Sequence, residues 1–182
     1  MRCRLFLAVA ALTSMVVLAF SACSSASNAT DWFFGDSLAV RVKEIRLSEE
    51  VRYLHEGKHY LIRPSNEDRT LAVALMEVRN REANMVYLSI NKDTVRLRDE
   101  EFLDYRPINP LEERQEVAET GPGEDTMTPF IWGQVELPTT CGEGGEAGSP
   151  CELKGWMMFE VPREIKFYQL IWEATDVIYL RF

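Results

Sequence analysis

Lys154-Gly155-Trp156-Met157-Met158-Phe159-Glu160-Val161-Pro162 is the stretch whose reading decides the fold class. With period two, Met157, Phe159 and Val161 fall on one face and Trp156, Met158 and Glu160 on the other. That pattern is a β-strand of a sandwich, and Pro162, which cannot donate to a ladder, closes it. No catalytic group is read in this stretch, so it speaks to fold and not to chemistry.

Working outward, the segment just upstream runs from Cys141 to Cys151 around Gly142, Gly144, Gly145, Gly148 and Pro150. In an oxidising compartment two thiols at this spacing are most simply a disulfide closing a flexible loop, worth somewhat under about 3 kcal/mol of loop-closure entropy. The alternative is half of a metal site, which needs two more soft ligands. Further upstream and downstream, short apolar runs recur. Leu38, Val40 and Val42 alternate with polar neighbours, and a bulge near Glu44 would return Ile45 and Leu47 to the core. Val51 to Leu54 and Tyr60 to Arg63 flank a glycine and read as a hairpin. Leu71 to Val78 is apolar on both faces, as a strand covered on both sides would be. Asn80 to Asn84 turns the chain, and Met85 to Ile90 is expected to pair back on it. Thr94 to Leu97, Phe130 to Leu137, Phe167 to Trp172 and Val177 to Phe182 complete the strands, with Ile178, Leu180 and Phe182 on one face. Asp99-Glu100-Glu101 and the Phe102 to Pro107 segment read as an acidic turn with apolar plugs. Residues 110 to 129 are acidic and weakly patterned, and predict a mobile loop or a short helix from Leu111 to Ala118.

The amino terminus carries Arg2 and Arg4, then an apolar run from Leu5 to Phe20, then Ser21-Ala22-Cys23, with no acidic residue before Asp31. This is the pattern of an export signal, and the 16-residue run is short for a membrane span of roughly 20 residues. Small residues running into a cysteine resemble the bacterial lipobox, in which the thiol receives a diacylglycerol. Here Phe20 departs from the usual aliphatic residue. Lipidation of Cys23 would tie the chain to a membrane on its extracytoplasmic side, in the cell envelope. Ordinary cleavage near Ala22 would instead release it. Residues 24 to 30 read as a polar tether, making 1–22 the signal, 23–34 the tether and 35–182 one domain. Trp32, Phe33 and Phe34 are expected to cover one end of the core, the alternative being a wedge in lipid headgroups. Loss of Arg2 and Arg4 leaves 18 of the 20 basic residues against 29 acidic ones, a formal charge of −11. Such a balance argues against nucleic acid or anionic lipid as a partner.

Strands at regular spacing without an amphipathic helix after the signal predict an all-β, immunoglobulin-like antiparallel β-sandwich, preceded by a signal-peptide helix and a disordered tether. The Asn80-Arg81 turn after a valine-rich strand, the Gly155 to Pro162 run and the terminal aliphatic strand together resemble an uncharacterised family of bacterial immunoglobulin-like (telokin-like) lipoproteins. That family is related to the mycobacterial secreted immunoprotective antigen superfamily. The resemblance spans roughly residues 35 to 182. It implies the fold and an extracytoplasmic location, carries no catalytic residues, and marks the Cys141 to Cys151 loop as an elaboration of what is usually a short turn.

His55-Glu56-Gly57-Lys58-His59 matches H-E-x-x-H in letter. That motif works only on a helix, which sets both imidazoles on one face beside a metal-bound water and the glutamate as base. Strand-forming flanks and the central Gly57 predict a turn. The chain holds two histidines, so a third ligand would have to be a carboxylate such as Glu67. Asp99-Glu100-Glu101 and Glu124-Asp125 lack calcium-loop spacing and read as a solvated face. No Gly-x-Ser-x-Gly elbow or phosphate loop is present. The expectation is a non-enzymatic binding module without cofactor or bound metal, with an unidentified envelope or extracellular partner. Its contacts would fall on three loops: 55–59, 110–125 and 141–151. The competing reading is a metal-dependent hydrolase using His55, Glu56 and His59.

Overall fold

The structure, a computed structural model, describes residues 31–118, 128–139 and 152–182. The export signal, Cys23, the Cys141–Cys151 pair and Glu124-Asp125 lie outside the described residues. Among the described residues thirteen strands are formed: β1 (Phe33–Phe34), β2 (Leu38–Ser48), β3 (Val51–His55), β4 (Lys58–Ile62), β5 (Arg69–Asn80), β6 (Met85–Ile90), β7 (Val95–Asp99), β8 (Asp104–Tyr105), β9 (Gln115–Val117), β10 (Gly133–Pro138), β11 (Glu152–Pro162), β12 (Phe167–Trp172) and β13 (Ile178–Arg181). All strand pairs are antiparallel, in sheets ordered β1-β2-β5-β11, β13-β12-β7-β8, β10-β6 and β3-β4-β9.

The order is that of an immunoglobulin sandwich. β2, β5 and β11 take the places of strands A, B and E, while β13, β12 and β7 take those of G, F and C. Between them lies one core. Val40, Val42, Met76, Val78, Met157 and Phe159 from the first sheet meet Val95, Leu97, Leu170, Trp172, Ile178 and Leu180 from the second. The β6–β10 ribbon adds Val86, Leu88, Ile90 and Leu137 to the same core. Met85 to Ile90 therefore leaves β5 instead of pairing back on it: Asn80 caps the turn, its side-chain amide donating to the carbonyls of Ala83 (2.7 Å) and Leu137 (2.8 Å). Those bonds direct the chain to β10.

The β5 sheet is covered on its other face too. Leu71, Val73 and Met158 pack there under Val51, Tyr53, Tyr60 and Ile62 of the β3–β4 hairpin, with Ile108 beside them. The alternation of β11 is realised as read, with Met157, Phe159 and Val161 in the sandwich and Met158 under the hairpin. A third layer is the reason β5 is apolar on both faces.

Several expectations are corrected. The bulge in β2 falls between Val42 and Glu44 and returns Ile45 to the core, but Leu47 stays exposed near the strand's end. Phe102 and Leu103 are exposed instead of plugging a turn. No helix forms over 111–118. Asn109 caps a single turn, its carboxamide oxygen accepting from Leu111 N–H (3.0 Å) and its carbonyl from Glu113 N–H (3.1 Å), and the chain then enters β9. The open edge of β4 supplies the ladder that wins over local helix propensity. The sandwich takes in Phe33 and Phe34, two residues before the boundary expected at Gly35. Phe33 packs on the core while Phe34 is exposed.

Candidate functional site

The β3–β4 hairpin turns through Glu56 (φ 50°) and Gly57 (φ 76°), both left-handed, which is the two-residue turn whose twist suits paired strands. In its register His55 faces Lys58 and Leu54 faces His59. Directly opposed residues share a face and successive ones alternate, so the two imidazoles leave opposite faces of the hairpin. The helical geometry that H-E-x-x-H needs is not formed. Glu67 lies in the next loop, where its carbonyl accepts from the Arg163 guanidinium. Among the described residues no three His, Cys, Asp or Glu side chains converge on a point that could hold a metal.

The acidic stretch at the end of β7 is a turn cap. Asp99 Oδ1 accepts from the N–H groups of Glu101 (2.9 Å) and Leu103 (2.8 Å), and Oδ2 from the Tyr105 hydroxyl (2.8 Å). Burial, and then this bond, push the Tyr105 hydroxyl up to about 12.

Three segments around the hairpin are held by identifiable contacts. The Tyr53 hydroxyl donates to the Pro110 carbonyl and fixes the Asn109 turn beneath β3. The Arg114 guanidinium lies 3.8 Å from the Tyr60 ring centroid, and Lys58 meets Glu116 at 2.9 Å, so β9 is fastened to β4 by side chains as well as by its ladder. On the far side, 128–130 runs parallel to β11: Trp156 N–H donates to the Thr128 carbonyl (2.9 Å) and Phe130 N–H to the Trp156 carbonyl (2.8 Å). Gly155 makes this approach possible, since a Cβ there would sit 2.6 Å from the Phe130 Cα. Phe130 is thereby driven into the core, edge-on to Trp172 at 6.2 Å.

Between these segments lies a cavity of about 450 Å³, with Leu54, His55, Leu111, Phe130, Ile131 and Trp132 among its walls. Three of its exposed lining residues are apolar: Leu54, Leu111 and Ile131 come from three separate segments and are 43%, 44% and 41% exposed. A second hollow of about 830 Å³ shares Leu111 and Trp132 with it and continues past Ile108 to Lys92 and Arg106. Of the three loops expected to bear function, the hairpin tip and the start of the acidic segment line this cavity, and so does Glu152, the first described residue after the cysteine pair. The strand expected from Phe130 to Leu137 begins only at Gly133, and the sequence reading gave Ile131 and Trp132 no role beyond that strand, although two large apolar residues ahead of Gly133 outside any clean alternation were a usable signal.

A second unforeseen cluster sits on the same face of the β5 sheet. Glu77 is 1% exposed within an otherwise apolar stretch of β5. Its carboxylate accepts from the Arg41 guanidinium and meets Lys43 Nζ at 2.9 Å and Lys154 Nζ at 3.4 Å. Burial alone would raise the proton affinity of Glu77, but bonds from Lys43 and Arg41 outweigh it and hold the group below the usual carboxylate range. Arg41 lies directly opposite Glu77 in the register, and Lys43 reaches it from the bulge that follows. Trp32 lies between the guanidinium groups of Arg41 (4.5 Å) and Arg79 (4.2 Å), so this ring is spent on the sheet surface.

No family model and no curated protein matches the chain. Among solved structures, that of an uncharacterized β-sandwich protein from Clostridium difficile 630 aligns at 10% identity with a TM-score of 0.39, over 79% of this chain and 83% of that one.

Proposed function

We propose that the chain is a non-enzymatic recognition module, held on the extracytoplasmic side of a membrane through a lipid on Cys23, and that it binds through the cavity at the β3–β4 tip. The observation that carries the reading is the convergence of exposed Leu54, Leu111 and Ile131 on one apolar hollow. Scattered exposed apolar residues are ordinary, but a contiguous set around a concavity marks a binding surface. The likeness of the sequence to immunoglobulin-like lipoproteins supports the anchored, extracytoplasmic part of the proposal. A hydrolase built on His55, Glu56 and His59 is disfavoured by the opposed imidazoles.

Two measurements test this reading. A photo-cross-linking residue placed at Ile131 on intact cells should label a discrete partner, whereas the same residue at exposed Tyr179 on β13 should not. Equal labelling from both sites would remove the cavity from consideration. Mass spectrometry of membrane-extracted protein should find diacylglycerol on Cys23, and Cys23→Ser should release the protein from the membrane. An unmodified Cys23 refutes the anchor.

A further inference from the structure

We infer that the cavity and the groove adjoining it take an extended, basic polypeptide segment of a partner protein, seating one apolar side chain over Phe130 with its cationic neighbours against Glu112, Glu113 and Glu152. This rests on the reading of the hairpin-tip end as the binding face and names the chemistry of the ligand.

Shape is the first reason. The two hollows adjoin at Leu111 and Trp132, and a peptide laid across both would follow them as one trough. One wall of the cavity is a continuous run of main chain, 128–132. In a parallel pair, alternate residues direct their hydrogen-bonding groups to opposite sides. Thr128 and Phe130 are committed to β11, so the Pro129 carbonyl and the Ile131 N–H face away from it, and neither has a backbone partner among the described residues. An extended peptide laid in the trough would pair with them and present alternate side chains to the cavity, the mode by which sheet edges recognise peptides.

Charge is the second. Glu112 and Glu113 line the groove and Glu152 the cavity, and none of the three makes an ion pair among the described residues. The cations that line the two hollows are Lys92, Arg106, which pairs with Asp93, and Lys154, which shares the single Glu77 carboxylate with Arg41 and Lys43; against them stand Glu112, Glu113, Glu152 and Glu160. The rim is therefore net acidic around an apolar floor. That combination selects an apolar residue flanked by lysine or arginine and repels an acidic segment.

The test pans a displayed library of random twelve-residue peptides against the full chain and, in parallel, against Ile131→Asp and Leu111→Asp. Both positions are exposed, so the variants should melt as the parent does. Expected is enrichment of peptides bearing an apolar residue with basic residues close by. Their affinity should fall at least tenfold on either substitution, severalfold on Glu112→Lys with Glu113→Lys, and further with added salt. Absence of enrichment, enrichment of acidic peptides, or equal binding to the Ile131→Asp and Leu111→Asp variants would each overturn the inference. Binding of a small hydrophobic cation such as benzyltrimethylammonium at the cavity, with no peptide enriched, would also overturn it while leaving the cavity as the binding site.

Discussion

Gly155 and Glu77 are the two residues whose neighbours leave them least choice. At Gly155 the obstacle to a side chain is the main chain of Phe130, which cannot rotate out of the way as a side-chain tip could. Gly155→Ala should therefore cost about 1–3 kcal/mol, the range for overpacking, and lower the urea midpoint with little change in slope. An unmoved midpoint would mean that 128–130 shifts freely. Glu77 has the opposite dependence on its surroundings, because three cations are gathered on one buried carboxylate. Glu77→Gln should cost about 1–3 kcal/mol, less than a fully buried pair because the cations retain partial access to water. With its folded pKa held below the unfolded value, Glu77 stabilises the native state fully above the usual carboxylate range. The contribution declines as pH falls from that range towards the lower folded value. Urea midpoints between pH 7 and 3 should converge for parent and Glu77→Gln, and parallel curves would contradict this account. Gly155 could be read from the sequence as part of a strand but not as a crossing point, since its partner lies 25 positions away. Glu77 stood out as a charge in an apolar run, yet nothing local identified Arg41, Lys43 and Lys154 as its partners.

At the scale of the element, the β3–β4 hairpin shows how far local signals reach. Apolar runs around a glycine sufficed to place both strands and the turn, because a two-residue hairpin is closed by its own backbone. The spacing of His55 and His59 then determined, once the strands were granted, that the rings part company. Gly57→Ala isolates the backbone cost of this turn: φ is 76° and a Cβ there would meet nothing within 4 Å. The substitution should lower the stability by about 1–2 kcal/mol, the left-handed penalty for a residue with a side chain, without altering peptide binding. A variant that melts with the parent would show that the turn can change type. Elements defined by distant edges were illegible by the same logic. β9 is three residues in an acidic, weakly patterned segment, and it is a strand because β4 offers an edge. The 128–130 segment is extended because Trp156 offers both a donor and an acceptor.

On the scale of the whole molecule, the sandwich was legible because period-two patterning is repeated in many strands, and the double-faced hydrophobicity of β5 already called for cover on both sides. What supplies the second cover was not legible, nor was the cavity, since both depend on how the hairpin, the Asn109 turn and 128–132 come to rest together. The order in which the central sheet is assembled follows from its register. β5 pairs along its length with β11, Arg69 meeting Pro162 and Arg79 meeting Glu152. Synthesis from the amino end therefore leaves Leu71 to Val78 without its second neighbour until some eighty further residues have emerged. Through that interval an apolar strand with an open side waits on a partner that has not been made, which is the circumstance in which nascent chains engage one another instead of themselves. Refolding of the isolated protein should accordingly be slow for its size, in the milliseconds-to-seconds range of sandwiches dominated by distant pairings. Its yield should fall with rising concentration, and stopped-flow fluorescence together with light scattering would measure both.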